Sequence, residues 1–260
     1  MPRMTSYGPG TPCWVDLSSP DPVASAAFYG ELFGWRARTE PVPEAAGYRL
    51  FTLGDGAGEC EVAAVLPLTS EGQQPAWTTY VSVTDVDATV KAVEAAGGQV
   101  LTGPLDMLDQ GRMAIFIDAA GAVIAAWQPR RFQGAALAGD RDTYCWSELV
   151  CRDIDGAKAF YGEIFGWQGD TRPFGPSSYT EWKIDGRALA GMVQMNEQWP
   201  AEIPPHWMVY FAVDDCDACA SRTAELGGTV SVRPTDIPTG RIAVLSDPHG
   251  AFFSVIKVSA

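Results

Sequence analysis

The sequence predicts an α+β protein made of two copies of one domain, each copy a pair of strand-helix-three-strand units. Three observations predict it. The octapeptide Phe28-Tyr29-Gly30-Glu31-Leu32-Phe33-Gly34-Trp35 returns, with Ile in place of Leu, as Phe160-Tyr161-Gly162-Glu163-Ile164-Phe165-Gly166-Trp167. The offset from position 28 to position 160 is about half of the 260-residue chain, which marks a duplicated domain and not a short solenoid repeat. Within each half, an apolar run, a capped helical stretch and three short strand-like runs occur twice in succession.

Gly10 to Leu17 is a short apolar run bounded by Pro and Ser, as expected of a strand. Asp21 then caps a helix with Pro22 at its first position. The carboxylate can accept from the unpaired first-turn N–H groups, and Pro has no N–H to leave unsatisfied. Val23, Ala26, Ala27, Leu32 and Phe33 carry the helical apolar spacing, and Gly34 ends it. Strands are expected over 35–38, 48–53 and 60–66, with Pro and Gly between them. Past the polar bridge 69–75 the order repeats: a strand over Trp77–Val83, a helix from Asp85 to Ala96 closed by Gly97-Gly98, and strands over 99–101, 112–117 and 123–127. Residues 129–142, with Pro129 and an Ala/Gly stretch, are expected to link a first domain (1–128) to a second (143–260). In the second, Trp146-Ser147-Glu148-Leu149 matches Trp14-Val15-Asp16-Leu17, Trp207 to Asp217 matches Trp77 to Asp87, and Gly240 to Gly250 matches Gly111 to Gly121.

Composition narrows the class. With 47% hydrophobic residues, each half is long enough to bury its own core. Eighteen Lys and Arg against 32 Asp and Glu give a net charge of -14, which repels a phosphate backbone or an anionic membrane surface. Neither nucleic acid nor membrane is expected as a partner. Met1 to Gly10 has no apolar core and the chain has no run of about 20 apolar residues, so a cytoplasmic protein is expected. The six cysteines are expected to be reduced thiols. Cys216 and Cys219 form a lone CxxC with no second pair, and are expected on the packing side of a helix over 215–226.

A tandem of such units, with FYGxxFGW closing the first helix, V-x-D-V-D opening the second and a D-x-x-G turn before the last strand, resembles the vicinal oxygen chelate superfamily. That group includes glyoxalases, bleomycin-resistance proteins and extradiol dioxygenases. The resemblance covers both halves and is closest to two-domain glyoxalase-like proteins whose signature begins W-x-[DE]-L. It implies that each pair of units curls into a half-open sheet around a cavity, where metal-dependent members hold four ligands. The resemblance puts Trp14 and Trp146 at the first ligand position, Thr78 and Met208 at the second, and Ala125 and Ser254 at the last. The remaining position lies near Glu59 or Glu61.

The whole chain has two histidines, His206 and His249, whereas a facial iron triad needs two at one site and zinc or nickel sites need comparable donors. No metal and no cofactor are expected. His249 lies in the Asp247-Pro248-His249-Gly250 turn, and His206 shares strand parity with Met208 at the cavity rim.

If those positions face the cavity, strand alternation adds their neighbours. Trp14, Asp16, Thr78, Tyr80, Ser82 and Trp127 then line one cavity, and Trp146, Glu148, Met208, Tyr210 and Ser254 the other. Aromatic faces stack on a flat apolar ligand while a carboxylate and a phenol orient it. Two roles stay open for Asp16 and Glu148: a general base partnered by Tyr80 or Tyr210, or a carboxylate satisfied by nearby donors in a closed core. Trp77 and Trp207, on the opposite parity, belong with the helix-packing side, as does the octapeptide. Arg112 and Arg241 are expected in surface ion pairs.

The expected function is that of a glyoxalase/bleomycin-resistance-like protein that holds a small aromatic or polyketide-like molecule in a metal-free cavity, as a monomer whose two domains pair within the chain. The alternative is an enzyme of the same superfamily, a lactoylglutathione-lyase-like protein or a hydroxylase or oxidoreductase of secondary metabolism. A third reading leaves only one of the two cavities open.

Overall fold

The computed structural model describes residues 3–39, 47–54 and 58–259, which form two eight-stranded mixed sheets, one per half. The first half contains β1 (Pro12–Ser19), α1 (Pro22–Phe33), β2 (Arg36–Thr39), β3 (Arg49–Leu53), β4 (Cys60–Pro67), β5 (Ala76–Ser82), α2 (Val86–Ala95), β6 (Gln99–Met107), β7 (Gly111–Ile117) and β8 (Val123–Pro129). The second contains β9 (Tyr144–Cys151), α3 (Ile154–Phe165), β10 (Gln168–Phe174), β11 (Ser177–Ile184), β12 (Arg187–Gln194), β13 (His206–Ala212), α4 (Cys216–Glu225), β14 (Thr229–Ile237), β15 (Gly240–Ser246) and β16 (Phe252–Val258). Strand order is β2-β3-β4-β1-β5-β8-β7-β6, and the second sheet repeats it as β10-β11-β12-β9-β13-β16-β15-β14. In each unit the strand before the helix pairs in parallel with the last strand, and the two units join antiparallel at β1–β5 or β9–β13.

Local chemistry sets the helix ends. Asp21 Oδ1 accepts from the amides of Val23 and Ala24 at 3.0 and 2.9 Å, with Pro22 at the first turn, and Gly34 stops α1 at φ 73°. Asp85, Asp153 and Asp215 cap the other helices in the same way. One strand differs from expectation: β6 runs to Met107 where the sequence suggested an end at 101. It continues because its pairing with β7 passes through register shifts at Val100/Thr102 and Thr102/Leu105, so Gly103 and Pro104 bend the strand without breaking it.

The two halves do not have separate cores. α1 packs on β1, β3 and β4 and against α4 of the other half, and α2 packs against α3. One core joins Tyr29, Phe33 and Trp35 to Phe211, Phe253 and Val255, and the other joins Val90, Val93 and Phe116 to Phe160, Tyr161 and Trp167. The expectation of one core per half is therefore corrected. Each helix is apolar toward its own sheet and also toward the partner half, so neither half closes its helix-side core alone, while a smaller third cluster around Trp14, Tyr80 and Trp127 lies on the other face of the first sheet.

The octapeptide makes the crossing specific. Tyr161 Oη donates to Asp118 Oδ2 at 2.7 Å and accepts from Trp207 Nε1 at 2.8 Å. Tyr29 Oη donates to Asp247 Oδ2 at 3.3 Å and accepts from Trp77 Nε1 at 3.0 Å. Asp118 and Asp247 begin the D-x-x-G turns, and the other oxygen of Asp118 accepts from the amides of Ala120, Gly121 and Ala122. Trp35 and Trp167 donate across the same seam to the carbonyls of Asp142 and Gly10, each at 2.7 Å. All six cysteines are free thiols, and Cys216 and Cys219 lie on the buried face of α4. Arg112 forms ion pairs with Asp87 and Asp106, and Arg241 with Asp217 and Asp236. Among the described residues no helix is long and apolar enough to cross a membrane.

Because both cores span both halves, the chain is expected to unfold in one transition. Tyr161→Phe strands a buried indole N–H and one buried carboxylate oxygen, at a cost of roughly 1–3 kcal/mol. Tyr29→Phe, whose carboxylate bond is longer, is expected to cost less. Urea unfolding followed by fluorescence and circular dichroism checks this, and two resolved transitions in the wild type would contradict it.

Candidate ligand-binding site

With the helices sandwiched between the sheets, each sheet turns its helix-free face outward, and the expected site residues gather there. In the first half, Trp14 and Asp16 of β1 lie beside Tyr80 of β5, with Trp14 paired to Tyr80 and Asp16 to Thr78 in register. Tyr80 Oη donates to Asp16 Oδ2 at 2.9 Å. Trp14 Nε1 donates to the hydroxyl of Tyr48, just before β3, at 3.3 Å.

The second half repeats this quartet. Tyr210 Oη donates to Glu148 Oε1 at 2.7 Å, and Trp146 Nε1 donates to Tyr179 Oη at 3.1 Å. The Tyr179 hydroxyl also lies near enough to influence the Glu148 carboxyl. Gly191 of β12, opposite Glu148 in register, makes this possible: a Cβ there would stand 2.1 Å from the Tyr179 hydroxyl. Sequence reasoning expected one phenol per cavity and missed Tyr48 and Tyr179. The available signal was their matching place at the third strand of each first unit.

The two faces differ in access. Trp14, Asp16, Tyr80, Ser82 and Trp127 are all buried, and the segment 129–142 crosses over them. Phe132 sets its ring edge-on to Trp14 at 4.8 Å and to Trp127 at 5.9 Å, and Trp127 Nε1 donates to the Phe132 carbonyl at 3.0 Å. Ser82 Oγ donates to the carbonyl of Tyr7, so the amino-terminal segment closes that end. The open aromatic cavity expected in the first half is thus a filled cluster, because Phe132 occupies the space in front of Trp14. In the second half Glu148, Met208, Tyr210 and Ser254 are buried as well, and the difference lies at Trp146, which is partly exposed where Trp14 is enclosed.

Ser254 of β16, beside Tyr210 in register, is fully buried and its hydroxyl makes no hydrogen bond, although it lies near enough to act on the Tyr210 phenol. The corresponding residue in the first half is Ala125, which has nothing to satisfy. Met208 pairs with Glu148 in register. His206 sits apart at the start of β13, its Nδ1 2.9 Å from the Pro204 carbonyl. Glu59 and Glu61 are drawn into ion pairs with Arg36 and Arg38 of β2.

Burial governs the protonation of both carboxyls. It pushes Glu148 up to about 7 against the opposing effect of the Tyr210 and Tyr179 hydroxyls, and Asp16 up to about 7 against that of Tyr80. Burial, and then the adjacent carboxylate charge, push the Tyr80 and Tyr210 phenols well up, so both remain donors.

The donor set does not fit the metal that the fold family implies. Each quartet offers one carboxylate amid indoles and phenols, and Glu181 and Asp170, in register with Glu148 across β12 and β11, are held in ion pairs by Lys183 and Arg172. Among the described residues no group of three or more His, Cys, Asp and Glu could hold a metal ion. Two crevices of about 350 and 280 Å³ lie in the seams between the halves, away from both quartets. The larger is lined by Asp118, Arg152 and Asp153, all three already hydrogen-bonded within the chain.

A pH dependence follows. The ordinary values for these two carboxyls are 4.5 and 3.8, so the folded chain keeps protons that the unfolded chain releases as pH rises toward about 7. The contribution of these two carboxyls to stability is therefore expected to be fully present below those ordinary values, to fall as pH rises through the window up to about 7, and to level off above it. Urea unfolding at about pH 5 and about pH 8 should show the wild type losing on the order of a few kcal/mol that an Asp16→Asn/Glu148→Gln variant retains. Parallel losses in the two proteins would show that these carboxyls do not titrate this way.

Comparison with known proteins agrees with this architecture. A family model described as glyoxalase/bleomycin resistance protein/dioxygenase superfamily matches residues 13–125, and one described as a glyoxalase-like domain matches residues 146–256. The chain is 42% identical to CFP32 of Mycobacterium tuberculosis (strain CDC 1551 / Oshkosh), which is provisionally named a glyoxylase, over 99% of this chain and 98% of that protein. It is also 42% identical to the anthracycline biosynthesis protein DnrV of Streptomyces peucetius, over 98% and 96%. Among solved structures, the Mn(II)-bound glyoxalase from Novosphingobium aromaticivorans superposes with a TM-score of 0.64 at 18% identity, covering 96% of this chain and 82% of that one, a likeness of fold. Matched along almost its whole length, the chain belongs to the glyoxalase/bleomycin resistance protein/dioxygenase superfamily.

Proposed function

We propose that the helix-free face of the second half binds a flat, polycyclic aromatic molecule carrying hydroxyl or carbonyl groups, without a metal. The observation that carries this reading is the combination at Glu148: a desolvated carboxyl that accepts from the Tyr210 phenol, beside a partly exposed Trp146 bonded to Tyr179 and beside the unpartnered Ser254 hydroxyl. Trp146 supplies a stacking face, while Glu148, Tyr210 and Ser254 supply acceptors and donors at one edge. The likeness to an anthracycline biosynthesis protein supports a polycyclic aromatic ligand class. Because the halves bury their helix faces on each other, a second chain is not needed to complete the site, and a monomer suffices.

A second reading, catalysis, is favoured by one specific observation: the Glu148 carboxyl near 7 lies where a general acid or base works best at neutral pH. In that reading Glu148 takes a proton from the bound molecule, and the Tyr210 hydroxyl, released by the neutralised carboxyl, turns its one O–H to the oxygen that gains charge.

Titration with a hydroxyanthraquinone, followed by quenching of tryptophan fluorescence, tests binding. Trp146→Ala is expected to weaken affinity by about tenfold or more, equivalent to about 1.4 kcal/mol. Trp14→Ala should lower stability and leave affinity within about twofold, since that ring is enclosed. Absence of quenching by the wild type at high ligand would end the binding proposal. For the catalytic reading, any turnover should follow a pH profile with a midpoint near 7 that Glu148→Gln abolishes.

A further inference from the structure

The outer face of the first half holds the same quartet as the second, bonded in the same way: Trp14 to Tyr48 and Tyr80 to Asp16, matching Trp146 to Tyr179 and Tyr210 to Glu148. The two copies differ in cover: Phe132 lies on Trp14, whereas Trp146 is partly exposed. The segment after β8 is stitched down on both sides of Phe132. On one side the amides of Arg130 and Phe132 donate to the Gln110 carbonyl at 3.0 and 3.1 Å, and on the other Ala135 donates to the Cys13 carbonyl at 2.8 Å and Ala136 to that of Glu61 at 2.7 Å.

Gly134 permits the close approach. Its φ is 123°, and a Cβ there would lie 2.4 Å from the Cys13 carbonyl oxygen. The segment thus runs from the β6–β7 turn over the sheet to β1 and β4. It delivers one aromatic ring, edge-on, to the tryptophan that corresponds to the stacking face of the second half. The far wall is shaped for that ring as well. Trp127 closes over Gly111, where a Cβ would stand 2.3 Å from its Cζ2, whereas the second half has Ile256 in the place of Trp127.

We propose that the first half carries an aromatic-ligand site that the chain keeps filled with its own Phe132 side chain, so that one face per chain is open to a ligand from solution. The kind of ligand admitted rests on the function proposed above; the filled first site does not. Phe132 is held there by backbone hydrogen bonds at both flanks, so a ligand must compete with a tethered ring whose effective concentration no free molecule matches.

Two measurements on the full chain test this. Phe132→Ala removes the ring and leaves an aromatic-walled space, and such apolar spaces take up benzene. Benzene is expected to raise the melting temperature of Phe132→Ala by several degrees while leaving the wild type unmoved; an equal response of the two proteins overturns the proposal. Should the alanine variant fail to fold, Phe132→Leu, which keeps apolar contact and vacates part of the ring, is held to the same criterion.

Equilibrium dialysis with alizarin counts sites independently. One alizarin per wild-type chain and two per Phe132→Ala chain support the proposal. Two per wild-type chain, or one for both proteins, overturn it. No binding to the wild type rejects the functional reading of the second half, and the benzene measurement then decides the first half alone.

Discussion

A phenol hydroxyl held between an indole N–H and a carboxylate joins the two halves of this chain, and the arrangement occurs twice with the roles of the halves exchanged. Burying a carboxylate away from water is costly unless its oxygens are satisfied. Asp118 meets that condition with three backbone amides of its own turn and one hydroxyl from the other half, so its turn is fully paired only when the halves are docked. The aromatic residues around Tyr29 and Tyr161 then fill the space between sheets. Together they make two cores that cross the midline in place of one core per half.

This docking decides which faces of the sheets point away from the seam. Helices that pack against each other in the middle leave the opposite faces of both sheets outward, and the Trp-Tyr-carboxylate-Tyr quartets lie on those faces. Duplication would make the two faces equal, yet the covalent connection between the halves has to travel across one of them. Residues 130–136 cross the first face, and Phe132 fills it. The second face keeps a half-exposed tryptophan, a longer carboxylate side chain and a buried serine hydroxyl with no partner. The asymmetry is thus a consequence of how a tandem is wired, reinforced by a few substitutions such as Ala125 against Ser254 and Trp127 against Ile256.

The chemistry of these faces differs from that of metal-dependent relatives in kind. An indole or a thioether where the family resemblance puts ligands leaves no donor set for a transition metal. What replaces it is a carboxyl whose affinity for its proton is raised by burial and opposed by the phenol that donates to it. Such a group can orient a polar edge or move a proton, and the aromatic walls favour a flat partner in either case.

Much of the fold was legible in the sequence because its signals are local. Asp21 before Pro22, Gly34 in a left-handed conformation and the alternation along β1 and β5 each follow from backbone chemistry within a few residues. Repetition of an octapeptide announced the duplication, and strand parity put Trp14, Asp16, Tyr80, Trp146, Glu148 and Tyr210 on shared faces. Tertiary structure alone decided the rest. That Tyr29 and Tyr161 reach into the opposite half, that Tyr48 and Tyr179 complete the quartets from a strand two places away, and that Phe132 closes one face are contacts between residues from about 30 to more than 200 positions apart. No periodicity encodes such pairings, because they depend on how the sheets and the connecting segment pack in three dimensions.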